Sequence, residues 1–432
     1  MATSIKAIQD NNLIFVSAQP DTIYFHWQVE LYLYQFAKHG TEIADRCYAI
    51  FGHKTDEPSK QLVELSKKYK NIIWYKDDRV IPKENYYIPS IRPHILKKFF
   101  KEHPELGKNV FYHDSDIFLV HMPKFELMLN DNIGYLSDTI GYIGANYIKI
   151  CCSRYKLKYP ELEENDIFKK MCDCIGITEE LVESNQENSG GAQYLLKNID
   201  ESYWEEVETK CSLLYDMLKK YEKNYPIDVH IQSWTTDMWC VLWVYWKNGK
   251  KTLIHKELEF SWPTWTIKDY ESKNIFHLAG ITDKNKSDKF YKGQYNTKNV
   301  FDEYKKNPTI FDHISKDNAT YAYANVIKEY CGNVLSETPI PIVNKENHKS
   351  FKLIVDNHLH GQYTKDDSTT YFDKPIWRSD HGYIAFYNSR SWTITQSKYE
   401  NEISEKCGGF ATNNAEEPYE NNWNIECKIL LM

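Results

Sequence analysis

Two textures of hydrophobic and polar positions divide this chain. In the first 120 residues short apolar runs alternate with helical repeats. Residues 13–17 are an apolar run too short for a helix, which predicts a buried strand. Phe25, Val29, Tyr32 and Phe36 then recur at helical spacing, and Gly40 closes that helix. The alternation continues with strand 46–51, helix 61–69 and strand 71–75. Ile91, Ile95 and Phe99 mark a third helix with Pro93 in its first turn, and 109–112 is a fourth strand. Strands separated by helical segments predict an α/β fold with a mainly parallel sheet flanked by helices. Such sheets gather ligands at the carboxyl ends of their strands. A further strand is expected at 133–136. Residues 155–230 read as charged helix and loop, broken by Gly190 and Gly191. Residues 236–247 read as a buried helix with Trp239, Trp243 and Trp246 on one face.

The texture then changes. A polar stretch with Asn, Lys and Pro breaks runs from Thr297 to about His348, and from Phe351 aromatic and alternating stretches lie between turns. The expected organisation is an α/β domain at 1–300, a partly helical connector at 301–348 and a small all-β accessory domain at 349–432.

Composition narrows the function. The 432 residues carry 53 basic and 61 acidic side chains, a net charge of −8. That balance argues against a general nucleic-acid binder, which needs a basic surface. Hydrophobic residues at 42% and charged residues at 26% fit a folded chain. Aromatics reach 15%, and rings serve either as platforms for sugars or as core. The amino terminus has no basic region followed by an apolar run, and no stretch approaches the roughly 18 apolar residues of a membrane span. A cytoplasmic protein with no membrane span is therefore expected. The ten cysteines include no C-x-x-C pair or zinc spacing, so reduced thiols are expected.

The sharpest feature is Phe111-Tyr112-His113-Asp114-Ser115-Asp116-Ile117-Phe118, which holds the chain's one D-x-D. It closes the fourth strand. Asp114 and Asp116, spaced i and i+2 on extended chain, share one side and can hold a hard divalent cation while leaving room for phosphate oxygens. A nucleotide diphosphate needs that cation, because charge builds on the leaving phosphate. The bland alternative is a surface turn. Further on, a short apolar strand ends at His277, followed by Gly280 and then Lys292-Gly293. His277 is a candidate manganese ligand or else a hydrogen-bonded core histidine. Gly280 permits close backbone approach, and Lys292 is a candidate phosphate-binding cation.

These residues resemble the GT-A-fold (Rossmann-type) nucleotide-sugar glycosyltransferases. The stretch from His277-Leu278-Ala279-Gly280 to Lys292 is similar to the His-x-x-Gly-x-x-Lys of glycogenin-like and galactinol-synthase-like families, with a longer gap. Val16-Ser17-Ala18-Gln19, residues Asn188 to Gln193 and residues Trp234 to Trp239 resemble the hydroxyproline arabinosyltransferase and peptidyl-serine galactosyltransferase group. The resemblance spans roughly residues 11–300. It implies a metal-dependent hexosyl- or pentosyltransferase. The donor would be a nucleotide-diphosphate sugar, a UDP sugar first of all, with Mn2+ or Mg2+ and a hydroxyl-bearing protein or glycan as acceptor. Asp114, Asp116 and His277 would hold the metal, and Lys292 would contact the diphosphate.

Other positions stay open. Ser17, Ala18, Gln19 and Asp21 follow the first strand, where base and ribose usually sit, although Asp21 also suits a helix N-cap. Arg92 is a phosphate or sugar contact or a surface cation. Gly190 and Gly191 let a substrate approach backbone, or form a flexible loop, and Gln193 is a candidate hydrogen-bond partner of the donor sugar in the catalytic step. Asp237 is the candidate general base if the enzyme inverts, or an acid placed against a helix dipole. The second class of function is a non-catalytic glycosyltransferase-like scaffold or glycan-binding structural protein.

In the tail, Gly361-Gln362-Tyr363, the run from Tyr371 to Trp377, that from Tyr383 to Tyr387, Trp392-Thr393-Ile394, Gly408-Gly409 and the run from Pro418 to Trp423 recur. This spacing resembles a small β-rich module of aquatic protist and large-virus proteins, which implies a viral or protist protein, in the host-cell cytoplasm if viral. Asp373-Lys374-Pro375 replaces that module's Asn-Gly-Arg-Pro. The resemblance implies binding or packing and no catalysis.

Overall fold

The computed structural model describes residues 2–80, 87–333, 350–355, 358–371, 374–380, 383–387, 392–396 and 427–431. The chain divides into two compact units, Met1–Thr338 and Pro339–Met432.

The first unit is built on β1 (Leu13–Pro20), β2 (Cys47–His53), β3 (Ile72–Lys76), β4 (Asn109–His113), β5 (Ile117–Leu119), β6 (Gly134–Asp138), β7 (Gly190–Lys197), β8 (Thr252–Ile254), β9 (Phe260–Ser261) and β10 (Ile275–His277). Seven strands form the main sheet in the order β3-β2-β1-β4-β7-β6-β8. Its pairs are parallel except β4–β7 and β6–β7, so β7 alone runs against the rest. The expected mainly parallel sheet flanked by helices is present. β1 and β7 are almost continuously buried, as a sheet covered on both faces requires.

Each face has its own core. One packs the helices Ile91–Glu102, Glu201–Asn224 and Thr236–Lys247 around Phe99, Trp204, Trp239 and Trp243. Trp239 and Trp243 are fully buried and Trp246 nearly so, as the helical spacing predicts. The other packs Ile23–Ala37 with Phe15, Trp27, Phe36 and Phe111. Val300–Lys306 and Ala319–Asn333, helices within the stretch expected to be a connector, add Val300, Phe301, Tyr323 and Tyr330 to that second core. The amino-terminal helix Ala2–Asp10, which no periodicity announces, buries Ile8 there too.

A second, three-stranded sheet has the order β5-β10-β9, with β5–β10 antiparallel and β9–β10 parallel. It is small, but it assembles the site. The eight described cysteines of this unit are unpaired and seven are buried. Among the described residues no helix is long and apolar enough to cross a membrane.

In the second unit β11 (Ser350–Val355), β12 (His358–Tyr371), β13 (Lys374–Ser379), β14 (Tyr383–Tyr387), β15 (Trp392–Gln396) and β16 (Cys427–Leu431) form one antiparallel sheet in the order β15-β14-β13-β12-β11-β16. Ile376, Trp377 and Ala385 are buried. Phe372, Asp373, Gly408, Gly409 and the 418–423 part of the recurring spacing lie outside the described residues.

Candidate functional site

Strand register builds the site. Asp114, Ser115 and Asp116 make the turn between β4 and β5, at the carboxyl end of β4. β10 pairs with β5 so that His277 faces Ile117, and the Leu278 amide donates to the Asp116 carbonyl at 3.0 Å. A histidine distant in sequence thus arrives on the D-x-D turn. On the other flank β7 pairs with β4, with Gln193 opposite His113.

The three expected metal ligands converge. His277 Nε2 lies 3.4 Å from Asp114 Oδ2 and 3.3 Å from Asp116 Oδ1. One ligand atom from each lies within 4.8 Å of the others. Neighbouring ligands about 2.1 Å from an octahedral ion sit about 3 Å apart, close to the two separations between His277 and the carboxylates. Two carboxylates suit a hard divalent ion, and the single imidazole beside them adds a nitrogen ligand that transition ions accept.

Basic side chains bracket this cluster. Lys292, on the short turn Lys292–Tyr295, donates from Nζ to Asp116 Oδ2. Arg92, in the first turn of Ile91–Glu102, reaches Asp114 Oδ1 at 2.9 Å and Asp237 Oδ2 at 3.0 Å. Asp114, Asp116 and Asp237 thus face Arg92, His277 and Lys292, and the charges balance. Burial pushes the Asp114 and Asp116 carboxyls up, but Arg92 beside the first, Lys292 beside the second and His277 beside both hold them below the usual carboxylate range. Burial lowers His277, but Asp116 and Asp114 outweigh it and raise its pKa to about 9. Burial holds the Asp237 carboxyl above the usual range against the pull of Arg92 and Tyr87.

The cluster forms one wall of a cavity of about 500 Å³, within the range of small-molecule sites. Tyr24, Gln28, Tyr142, Trp234, Met238 and Trp262 complete much of its lining. A smaller space of about 110 Å³ adjoins it, sharing Arg92, Asp114 and Ala192 and reaching Asp237 and Tyr194. Ala192 has φ +66°, where a non-glycine side chain is strained, and it lines both spaces.

Of the other expected residues, Gly280 lines the cavity, but a Cβ there would meet nothing closer than 4.0 Å. Its φ of +87°, not close approach, calls for glycine. Asp237 sits in the first turn of Thr236–Lys247 and anchors Arg92, with Tyr87 Oη donating to its Oδ1 at 2.7 Å. Gln193 is fully buried, 3.1 Å from His277 Nδ1 through its Nε2 and 2.7 Å from Ser137 Oγ through its Oε1. Gly190 and Gly191 open the buried strand β7 and do not line the cavity. A Cβ would come within 2.3 Å of the Ser137 carbonyl oxygen at Gly190 and 2.5 Å of Tyr194 Oη at Gly191. Both positions are glycine for packing.

Ser17, Ala18, Gln19 and Asp21 likewise lie outside the cavity lining. Ser17 Oγ is 2.8 Å from Tyr32 Oη, and Gln19 donates to the Ile50 carbonyl at 2.9 Å. The N-cap of Ile23–Ala37 is Thr22, and Asp21 instead accepts from the Ser59 amide and hydroxyl and pairs with His26 at 2.6 Å. Sequence reasoning missed Tyr24, Gln28, Trp262 and Ser137. Trp262 is signalled only by its place beside β9, and Ser137 by nothing local.

No family model matches the chain, and no curated protein matches it. Solved structures do. An apo bifunctional glycosyltransferase, WbbM, aligns at 11% identity over 62% of this chain and 46% of its own, TM-score 0.32. A glycosyltransferase involved in glycosylation of the major capsid of PBCV-1 aligns at 11% identity over 62% and 95%, TM-score 0.27. Apo mouse xyloside xylosyltransferase 1 aligns at 10% identity over 62% and 97%, TM-score 0.30. This chain spans less than half the length of the first of these. The functional reading rests on the site's own residues.

Proposed function

We propose that this chain is a metal-dependent glycosyltransferase that moves a sugar from a nucleotide-diphosphate sugar to a hydroxyl acceptor. The observation that carries this reading is the convergence of Asp114, Asp116 and His277, bracketed by Lys292 and Arg92, on the wall of a cavity at the carboxyl end of β4. A divalent cation, Mn2+ or Mg2+, would be held by Asp114, Asp116 and His277. When bound it would supply positive charge to the leaving diphosphate.

The charge balance supports the choice of donor. Three carboxylates face three basic groups in the metal-free cluster. Binding a divalent cation while His277 gives up its proton leaves the site one charge positive, which suits an anionic diphosphate. Lys292, released from Asp116, would meet phosphate oxygens. Arg92 is held between Asp114 and Asp237 and lines the cavity, so its guanidinium is a second candidate partner for phosphate oxygens. Tyr24, Trp234 and Trp262 line the cavity, and such rings are platforms on which a sugar or base packs. A UDP sugar is the first donor to try. Asp237 reaches the smaller space beyond Arg92, so its part in activating the acceptor hydroxyl is proposed from that side.

The test is hydrolysis of a panel of nucleotide sugars by the full chain with Mn2+ and with EDTA. Slow Mn2+-dependent release of a nucleoside diphosphate, lost in Asp114→Asn, is expected. No binding or cleavage of any donor with any divalent ion would overturn the reading.

A further inference from the structure

Buried behind His277 is a chain of three side chains whose protons can be counted. Gln193 Nε2 lies 3.1 Å from His277 Nδ1. Ser137 Oγ lies 2.7 Å from Gln193 Oε1 and 2.7 Å from the Leu258 carbonyl oxygen. Ser137 and Gln193 are fully buried and His277 nearly so, leaving protein atoms as the partners. Ser137 has one hydroxyl proton, yet in this arrangement both of its neighbours only accept. One of the two 2.7 Å contacts is then an oxygen–oxygen approach with no proton between.

A half-turn of the Gln193 carboxamide removes the conflict. Its oxygen and nitrogen have nearly the same shape, and the hydrogen-bond network decides which is which. The backbone sets the direction. The Leu258 carbonyl can only accept, so Ser137 donates to it. Ser137 then accepts from Gln193 Nε2, and Gln193 Oε1 accepts from His277 Nδ1–H. Each contact now has one donor and one acceptor.

We infer that Gln193, fixed by Ser137 and the Leu258 carbonyl, is a positioning residue that holds a His277 proton on Nδ1 and so leaves Nε2 as the ring nitrogen that would face an ion held with Asp114 and Asp116. Partners behind a histidine ligand commonly fix its tautomer in this way, and losing them costs roughly ten- to a hundredfold in metal affinity. β-Sheet register supplies the placement: Gln193 sits opposite His113, and the β6–β7 pairing shifts register between Leu136 and Asp138, on either side of Ser137. The strained Ala192 precedes Gln193 at that irregularity. The inference rests on the metal reading of the site and adds a role that Gln193 would not have as a contact to the donor sugar.

The test is Mn2+ binding, followed through the electron paramagnetic resonance of the free ion, in the unaltered chain, Gln193→Glu, Gln193→Met and Ser137→Ala. Gln193→Glu keeps an acceptor for Nδ1–H, with Ser137 turning its one proton from the Leu258 carbonyl to the new carboxylate, and should bind within about threefold of the unaltered chain, while Gln193→Met should bind about ten- to a hundredfold more weakly. Ser137→Ala, which frees the amide to rotate, should fall between them. Circular dichroism melts establish that each variant is folded. In 15N spectra of histidine-labelled, Mg2+-loaded unaltered protein, the His277 proton should sit on Nδ1, a readout that needs no variant beyond His277→Gln for assignment. Equal Mn2+ binding by Gln193→Met and the unaltered chain, equal weakening by Glu and Met, or a proton on Nε2 overturns this inference and leaves the metal reading standing. Absence of Mn2+ binding in the unaltered chain overturns both.

Discussion

Asp116→Asn preserves side-chain volume and removes one charge from the centre of the cluster. In the metal-free protein Asp116 accepts from Lys292 and lies 3.3 Å from His277 Nε2, with 4% of the residue exposed. Removing one partner of a buried ion pair costs about 3–5 kcal/mol. Lys292 keeps 25% of its side chain in water and His277 can release its proton, so the lower figure, about 3 kcal/mol, is expected. Urea unfolding in EDTA reads this loss. With Mn2+ at a hundred times its Kd the unaltered chain gains about 2.7 kcal/mol, whereas the variant, left with one carboxylate and one imidazole, should gain less than about 1 kcal/mol. The gap between the two proteins should therefore widen from about 3 to about 5 kcal/mol when Mn2+ is added. A gap that stays constant or narrows refutes the reasoning, because Asp116 would then stabilise the fold without holding the ion.

Lys292→Met removes the cation that competes with metal for Asp116, so it should tighten Mn2+ binding several-fold while weakening nucleoside diphosphate binding at least tenfold; calorimetric titration of each ligand measures both signs. His277 has its pKa raised to about 9, so in EDTA its stabilising contribution is complete below the ordinary histidine range near 6.5 and fades as pH rises through about 9. That contribution is at most about 3 kcal/mol, and urea midpoints across this window read it. Mn2+ must displace the same proton, so apparent Mn2+ affinity should climb by up to about tenfold per pH unit until about pH 9; a flat profile would count against His277 as ligand. Gly190→Ala puts a Cβ 2.3 Å from a backbone oxygen and should destabilise the fold by about 1–3 kcal/mol in thermal melts, with or without nucleotide present.

Much of this site was legible in the sequence because strong local signals mark it. Asp114 and Asp116 end a short apolar run, and His277 ends another. Their meeting was not legible, since it depends on the antiparallel register of β5 and β10, two strands of three residues each. The glycines mislead for a physical reason. Gly190-Gly191-Ala192 lacks the branched and aromatic residues that signal a strand, yet it opens the buried strand β7, where the Ser137 carbonyl and Tyr194 occupy the space a side chain would need. Local chemistry likewise gave Gln193 to the donor, while tertiary contacts place it behind His277. The polar stretch after residue 300 looked like a connector because Phe301, Phe311, Tyr323 and Tyr330 are widely spaced, but each packs into the same core. Asp21 suited a helix cap, and only the fold brings Ser59 within reach of its carboxylate.

The central claim is that this cluster activates a nucleotide-diphosphate sugar through a bound divalent ion. Its most direct test is the rate of nucleoside diphosphate release from a donor panel, measured with Mn2+ and with EDTA in the unaltered chain and in Asp114→Asn. Release from one donor class that requires Mn2+ and disappears in Asp114→Asn is the expected result. Release unaffected by EDTA or by the substitution, or no release from any donor, would contradict it.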